Sequence, residues 1–572
     1  MNRRFVLAVL CVGLCLTSGG LVRSQETTQP PELLGAAATV HPLATQAALD
    51  TLADGGNAVD AAVSAALMLN VVNGYNSGIG GGCFVLIRRA DGTLVALDGR
   101  EAAPAAATKE MYLVDGKADP ELSRTGALAS GVPGALAAYD LAVREHGRLP
   151  LSAALRKAAR VAELGFIVDT GYASSLRRTA EDLKKFDGSR THFFDEEGKH
   201  SVAGELFRQP DLARTFESIA DEGVDWFYRG SFASRCEEWM KQNGGLLTAA
   251  DFAAYRAKVR EPIVSSYRGF TIVGFPPPSS GGVHVAQILN ILEQFELASL
   301  SDSDRMHVIA EAMKLAFADR AHWLGDADFA KVPRGLVDKE YGRFLAGKIS
   351  LKAVVDVPSH GIPPGAESEF FGSKHTTHLT AMDAEGNWVA ITATVNTTFG
   401  SKVVIPGTGV VMNNEMDDFS AQPGVPNAFG LIGAEANSIA PGKRPLSSMS
   451  PTIVLKDGRP VFTCGAAGGP TIITQAVLAI VREIDLGMSP LENLAQPRLH
   501  HQWKPDLLSV EKALSKELQS ELQQRGHRIE EKGQSGVSQA IGFDAAGSLE
   551  PASDPRVPGA AGLIFKRKSD LR

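Results

Sequence analysis

From His41 to Gly55 and again from Asn57 to Val72, apolar residues recur at helical spacing, and Gly55-Gly56 stands where one helix closes and the next begins. A helical hairpin is expected there. Phe84 to Arg89 and Thr93 to Asp98 flank Asp91-Gly92, the pattern of two strands joined by a tight turn. Between about Gly126 and Gly282, helical patterns (Pro133 to Glu145, Leu151 to Leu164, Pro210 to Asp221, Ser231 to Gln242) alternate with polar connections. The hydrophilic run Asp182 to Lys199 reads as an exposed excursion. A further helix is predicted over Ser303 to His322, where His307 and Glu311 share a face at i,i+4 and read as solvated. The last third changes texture, with strands around turns at Asp383-Gly386, Asp457-Gly458 and Asp544-Gly547, and helices near Thr471 to Leu486 and Ser515 to Arg525.

With 572 residues, 44% of them hydrophobic and 21% charged, the chain has the balance of an ordinary globular protein and fills one large domain or two closely packed parts. A net charge of −8 without a basic cluster argues against nucleic acid and anionic membrane surfaces as partners. Residues 1–24 have the form of a secretory signal: Arg3 and Arg4, an apolar run from Phe5 to Leu16, and small residues at Val22 and Ser24. That run is too short for a bilayer core, which takes about 20 helical residues, so a periplasmic or secreted location is expected, without stable membrane insertion. Cys11 and Cys15 would leave with the signal. Cys83, Cys236 and Cys464 have neither disulfide-framework nor metal-ligand spacing and read as buried small hydrophobes.

Gly78-Ile79-Gly80-Gly81-Gly82-Cys83 invites a phosphate-loop reading, but it precedes a strand, carries Cys at the sixth position and is not followed by Lys-Ser/Thr. Close backbone packing is the better account. The loop Asp356 to Ser373 is rich in Pro, Gly and Ser and runs into Lys374-His375-Thr376-Thr377-His378-Leu379-Thr380, the start of a Thr-rich hairpin whose first strand begins at Thr376 or Thr377. Propensity does not choose between the two threonines.

This hairpin is followed by Asn396-Thr397-Thr398-Phe399-Gly400, Asn413 to Ser420, Arg444 to Pro451 and Gly465-Ala466-Ala467-Gly468-Gly469. In that order, and together with Gly55 to Ala62, Gly78 to Phe84, Asp98-Gly99-Arg100-Glu101 and Phe275 to Gly282, these segments resemble the γ-glutamyltransferase (glutathione hydrolase) family of N-terminal-nucleophile enzymes. The likeness spans nearly the whole mature chain.

The resemblance implies an α+β fold, a four-layer αββα sandwich built from two chains after self-cleavage between His375 and Thr376. The segments would be a signal (1–24), a large subunit (25–375) and a small catalytic subunit (376–572), held as a heterodimer. The family pattern selects Thr376 as nucleophile, its freed α-amine serving as base. By the same resemblance Thr394 partners the nucleophile, and the N–H groups of Gly468 and Gly469 receive the oxyanion. Arg100, Ser447 and Ser448 would hold the α-carboxylate of a γ-glutamyl donor, and Asn396, Glu415 and Asp418 its α-ammonium. The implied substrates are glutathione and other γ-glutamyl compounds, with amino acids or peptides as acceptors and no cofactor or metal. Pro423 to Ala440 resembles the family's lid, with Phe429 where some relatives have Tyr.

Overall fold

The computed structural model describes residues 32–371 and 379–566. Two antiparallel sheets lie face to face. The larger orders its strands Ala560–Phe565, Leu33–Thr39, Thr380–Asp383, Trp388–Thr394, Gly82–Arg88, Leu94–Gly99 and Lys258–Arg260. The smaller runs Leu549–Ser553, Val537–Phe543, Arg459–Ala467, Thr452–Lys456, Phe270–Gly274 and Ile263–Tyr267.

Alternation along each strand sets the layers. In Gly82–Arg88, Phe84 and Leu86 enter the space between the sheets with Phe275, Ile453 and Ile541, the rings of Phe84 and Phe275 lying 4.9 Å apart. Val85 and Ile87 face the opposite way, into the core shared with the helices Pro42–Ala53, Ala58–Val72 and Ala135–His146. The outer face of the second sheet (Ile272, Val454, Phe462, Ala540) packs on the helices Gly281–Leu292, Asp302–Trp323 and Thr471–Ile484. The result is the expected helix–sheet–sheet–helix stack.

Local signals account for many of the boundaries. Asn57 begins Ala58–Val72 with a reciprocal capping box to Asp60, after Gly55 has taken φ +91° at the end of the preceding helix. The Asp91-Gly92, Asp457-Gly458 and Asp544-Gly547 turns join strands as expected. Cys83, Cys236 and Cys464 are buried free thiols.

Three readings are changed or bounded. Within the supposed excursion, Asp187–Phe193 is a helix; Phe193 meets the ring of Phe399 at 4.9 Å, and Ser189 Oγ donates to the Lys402 carbonyl at 2.6 Å. A stretch with few apolar residues still buries them when neighbours surround it. His307 and Glu311 are fully buried rather than solvated, because Asp302–Trp323 is covered on several sides. His307 Nδ1 lies 2.7 Å from His527 Nε2, and Glu311 pairs with Lys314 at 2.7 Å, so these polar groups are partnered in place of water. The expected strand start at Thr376 or Thr377 lies outside the described residues; the described strand runs Thr380–Asp383.

Segments before and after position 375 alternate within both sheets. Leu33–Thr39 sits between Ala560–Phe565 and Thr380–Asp383, Gly82–Arg88 beside Trp388–Thr394, and Phe270–Gly274 beside Thr452–Lys456.

Candidate active site

A cavity of about 300 Å³ opens where Trp388–Thr394 ends, between the segment that follows it and the turn that leaves Arg459–Ala467. Thr394 closes its strand opposite Gly82, and its Oγ accepts the N–H of Asn396 at 2.7 Å. Asn396 takes φ +76°, a left-handed turn that asparagine tolerates, and its Nδ2 donates to the Asn414 carbonyl at 3.0 Å. The Gly80–Gly82 run explains how this strand end is held so close: a Cβ on Gly81 would stand 2.0 Å from the Thr394 carbonyl oxygen, and one on Gly80 2.1 Å from that of Val411. Close packing, not phosphate binding, is the use of these glycines.

Beyond Asn396 the chain keeps turning, and Phe399 and Lys402 also adopt positive φ. Such backbone persists where surroundings over-determine it. Phe399 is fully buried and donates its N–H to the Tyr75 carbonyl at 2.8 Å. Lys402 Nζ donates to the Gly400 carbonyl at 2.6 Å and to Thr397 Oγ at 3.2 Å, and burial pulls its pKa down to about 8.

On the opposite wall, Gly468 and Gly469 have φ of +138° and +60° immediately before the helix Thr471–Ile484. Neither N–H donates to a described residue, and both residues line the cavity. A side chain on Gly468 would collide with Thr471 Oγ at 2.5 Å, and one on Gly469 with the Phe429 ring at 2.7 Å. Phe429, from the expected lid segment, therefore lies over this turn.

Charge gathers at the inner end. Glu415 and Asp418, at either end of a short 3₁₀ turn, line the cavity, and Arg100 lies fully buried behind them. Its Nη1 donates to Glu415, its Nη2 to Asp418 at 2.6 Å and to the Leu446 carbonyl at 3.2 Å, and its Nε to the Pro445 carbonyl at 3.0 Å. Burial opposes the guanidinium's charge, but Glu415, Asp418 and Glu101 outweigh it and raise the pKa above its ordinary value. Burial pushes the Glu415 carboxyl up to about 7, with Arg100 opposing and Asp418 adding to the rise. Glu101 is driven up by burial and then by Glu415. Four of the five N–H groups of Arg100 are thus given to carboxylates and carbonyls, with Glu101 Oε2 lying 3.7 Å from Nη1.

Ser447 and Ser448 complete the wall. Their backbone follows the Pro276–Ser280 turn, with Ser447 N–H donating to the Pro278 carbonyl at 2.8 Å. Of the residues expected at the site, Thr394, Asn396, Glu415, Asp418, Ser447, Ser448, Gly468 and Gly469 share one cavity, with Arg100 behind it. His375 and Thr376 lie outside the described residues. Sequence reasoning missed Arg320, which reaches the cavity from Asp302–Trp323, and Ser280, which holds it. The one signal was an arginine among alanines in an otherwise core-forming helix. Among the described residues no group of side chains is placed to hold a metal ion.

A sequence profile described as Gamma-glutamyltranspeptidase matches residues 44–564. The glutathione hydrolase proenzyme of Escherichia coli (strain K12) is 42% identical over 568 residues, covering 97% of either chain. The crystal structure of a cephalosporin acylase from Bacillus halodurans superposes with a TM-score of 0.82 at 29% identity, over 96% of this chain and all of that one. That of Helicobacter pylori gamma-glutamyltranspeptidase gives 0.57 at 40% identity, over 60% of this chain and all of that one. With the profile and the Escherichia coli relative both extending across nearly the whole sequence, this chain belongs to the gamma-glutamyltranspeptidase family of N-terminal-nucleophile enzymes.

Proposed function

We propose that this chain is a self-processing γ-glutamyltransferase and glutathione hydrolase whose nucleophile is Thr376. In maturation, Thr376 Oγ attacks the carbonyl carbon of His375, the acyl group shifts from nitrogen to oxygen, and water hydrolyses the ester. The products are a chain ending at His375 and one beginning at Thr376, whose α-amine is now free. In turnover that amine takes the hydroxyl proton as Oγ attacks the γ-amide carbonyl of the donor. Collapse of the tetrahedral intermediate expels the amine portion and leaves a γ-glutamyl ester on Thr376, which water or an acceptor amine resolves.

The observation that carries this reading is the cavity itself. An oxyanion needs preorganised donors, and losing one raises a barrier by about 3 to 4 kcal/mol; the N–H groups of Gly468 and Gly469, which donate to no described residue, suit that role. Thr394 Oγ lies on the same cavity and suits a partner to the nucleophile. The carboxylates of Glu415 and Asp418, with the Asn396 side chain, suit an α-ammonium, and the hydroxyls of Ser447 and Ser448 suit an α-carboxylate. Interleaved strands would keep the two products of cleavage together. A periplasmic or secreted location follows from the signal-like residues 1–24; among the described residues no helix is long and apolar enough to cross a membrane.

The test is a denaturing gel with N-terminal sequencing of the smaller fragment. Wild-type protein should give two fragments, the smaller beginning at Thr376, and Thr376→Ala should stay whole and inactive. A single band from fully active wild-type protein defeats the proposal. A second reading, an acylase for glutaryl or β-lactam side-chain amides, draws on the likeness to the cephalosporin acylase. Comparing γ-glutamyl with glutaryl anilides separates the two, because only the first carries the ammonium that Glu415 and Asp418 would receive.

A further inference from the structure

Residues 349–371 follow the helix Lys339–Ala346 and belong to no helix or strand, apart from an isolated bridge of Phe370 to Pro333. A run of that length without regular structure still has to find partners for its backbone wherever water is kept away. Side chains of one helix, Asp302–Trp323, supply them. His307 Nε2 donates to the Ser350 carbonyl at 2.7 Å. Glu311 Oε2 accepts the Val355 N–H at 2.8 Å, and Lys314 Nζ donates to the Val355 carbonyl at 2.8 Å. A buried ion pair thus takes both backbone groups of one residue, as a neighbouring strand would. Asp319 and Trp323 repeat the arrangement at Gly361: Asp319 Oδ1 accepts its N–H at 2.6 Å, and Trp323 Nε1 donates to its carbonyl at 3.1 Å.

The grips follow one another in chain order. Position 307 holds 350, 311 and 314 hold 355, and 319 and 323 hold 361. Just past the helix the backbone takes over: the Arg334 N–H donates to the Glu369 carbonyl and the Phe371 N–H to the Val332 carbonyl, both at 2.9 Å. Asp319 is itself fixed, since its Oδ2 accepts from Gln287 Nε2 at 2.6 Å and from the Tyr341 hydroxyl at 2.8 Å. Contact along the run is close enough to require glycine. A Cβ on Gly361 would stand 2.1 Å from the Tyr341 hydroxyl, and one on Gly335 would stand 2.0 Å from the Pro364 carbonyl oxygen. The last grip, at Phe371, falls four residues before His375, whereas Glu311, Lys314, Asp319 and Trp323 do not line the catalytic cavity.

We infer that Glu311, Lys314, Asp319 and Trp323 are positioning residues for self-cleavage: by fixing the course of residues 355–361 they limit the conformations open to the bond between His375 and Thr376, and they take no part in turnover. The inference rests on the Thr376 reading above. An intramolecular attack is fast in proportion to the time its atoms spend aligned, so loosening the approach slows the cut. Once the bond is broken, the same grips hold only the end of the large chain, and the processed site no longer depends on them.

The experiment follows the full chain from cell-free synthesis into two fragments on a denaturing gel, and measures the urea midpoint and the kcat/KM of isolated two-fragment protein on a γ-glutamyl anilide. Lys314→Met removes the donor to the Val355 carbonyl and leaves the buried Glu311 charge unpaired; Glu311→Gln combined with Lys314→Met removes both charges. Processing should slow about tenfold in each. The urea midpoint, lowered in Lys314→Met by the unpaired charge, should recover in the double variant while processing stays slow, and kcat/KM of the processed protein should stay within about twofold of wild type. Trp323→Phe, which keeps the packing, should slow processing about threefold, and Gly361→Ala by at least about tenfold. Should Lys314→Met fail to fold, those two variants decide. Processing that recovers along with stability, that is unchanged, or that falls in step with kcat/KM overturns the inference alone. Active wild-type protein that never yields two fragments overturns it together with the reading on which it rests.

Discussion

Two ion clusters lie one behind the other beneath the cavity, and they are built to different ends. In the deeper one, Arg260 is surrounded by Asp98, Asp326 and Asp328 at 3.1 to 3.5 Å. Arg444 pairs with Asp98 at 2.5 Å, and its backbone N–H donates to Asp326 at 3.0 Å. Each carboxylate oxygen there has a donor. The nearer cluster, Arg100 with Glu101, Glu415 and Asp418, is incomplete: Glu415 Oε2 and both oxygens of Glu101 are buried without a hydrogen-bond partner. A buried ionic network whose carboxylate oxygens all have donors acts as scaffold, even though Arg260 Nε is itself without a partner. In the nearer cluster the unmet acceptor of Glu415 stands beside the cavity, and an unmet buried group is costly.

The contrast is most forcefully tested by removing the centre of the deeper cluster. Arg260→Ala removes the cation shared by three aspartates and leaves Asp98 only Arg444 and Asp328 only Lys258 as ion-pair partners, and loss of one partner of a buried ionic group costs about 3–5 kcal/mol. Urea unfolding of the processed protein should register that loss, and a variant as stable as wild type would show that the deeper cluster is no scaffold. Next in size is Asp418→Asn in the nearer cluster. It should cost about 2 kcal/mol in transition-state binding, roughly thirtyfold in kcat/KM for a γ-glutamyl donor, with a smaller loss of stability than Arg260→Ala because Arg100 keeps Glu415 and two carbonyls. A stability loss as large as that of Arg260→Ala, with kcat/KM intact, would erase the distinction between the clusters.

The smallest effect concerns pH. Glu415 is pushed up to about 7 by burial, with Arg100 opposing and Asp418 reinforcing, so it is ionised above that pH and protonated below it. An ammonium is received better by the ionised form, and KM for a γ-glutamyl donor should therefore rise, up to about tenfold, as pH falls through 7. Glu415→Gln cannot titrate and should flatten that profile; an unchanged profile would remove Glu415 from the ammonium subsite.

Much of this was legible along the chain. Asn57, Gly55 and the Asp-Gly turns act through their own dihedrals and nearest hydrogen bonds, so the hairpins and many of the helix limits follow from residues a few positions apart. Motif resemblance brought Thr394, Asn396, Glu415, Asp418, Ser447, Ser448, Gly468 and Gly469 into one expected site, and they do share one cavity. Burial of polar residues was not legible. His307 and Glu311 have the spacing of a wet helix face, yet His527, Lys314 and the backbone N–H of Val355 replace water there. Phe193 sits in a hydrophilic run and still enters the core.

The sequence alone determined many of the limits of strands and helices and which residue types could perform an acyl transfer, because those properties depend on side-chain chemistry and on neighbours within a turn or two. The tertiary structure decided which charges neutralise one another. Arg100 and Arg320 are both buried arginines, but one is ringed by carboxylates and the other is held by serine hydroxyls. That difference arises from groups distant along the chain, Glu415 standing 315 positions from Arg100 and Ser448 128 from Arg320, and an electrostatic balance depends on distance through space rather than on order along the backbone.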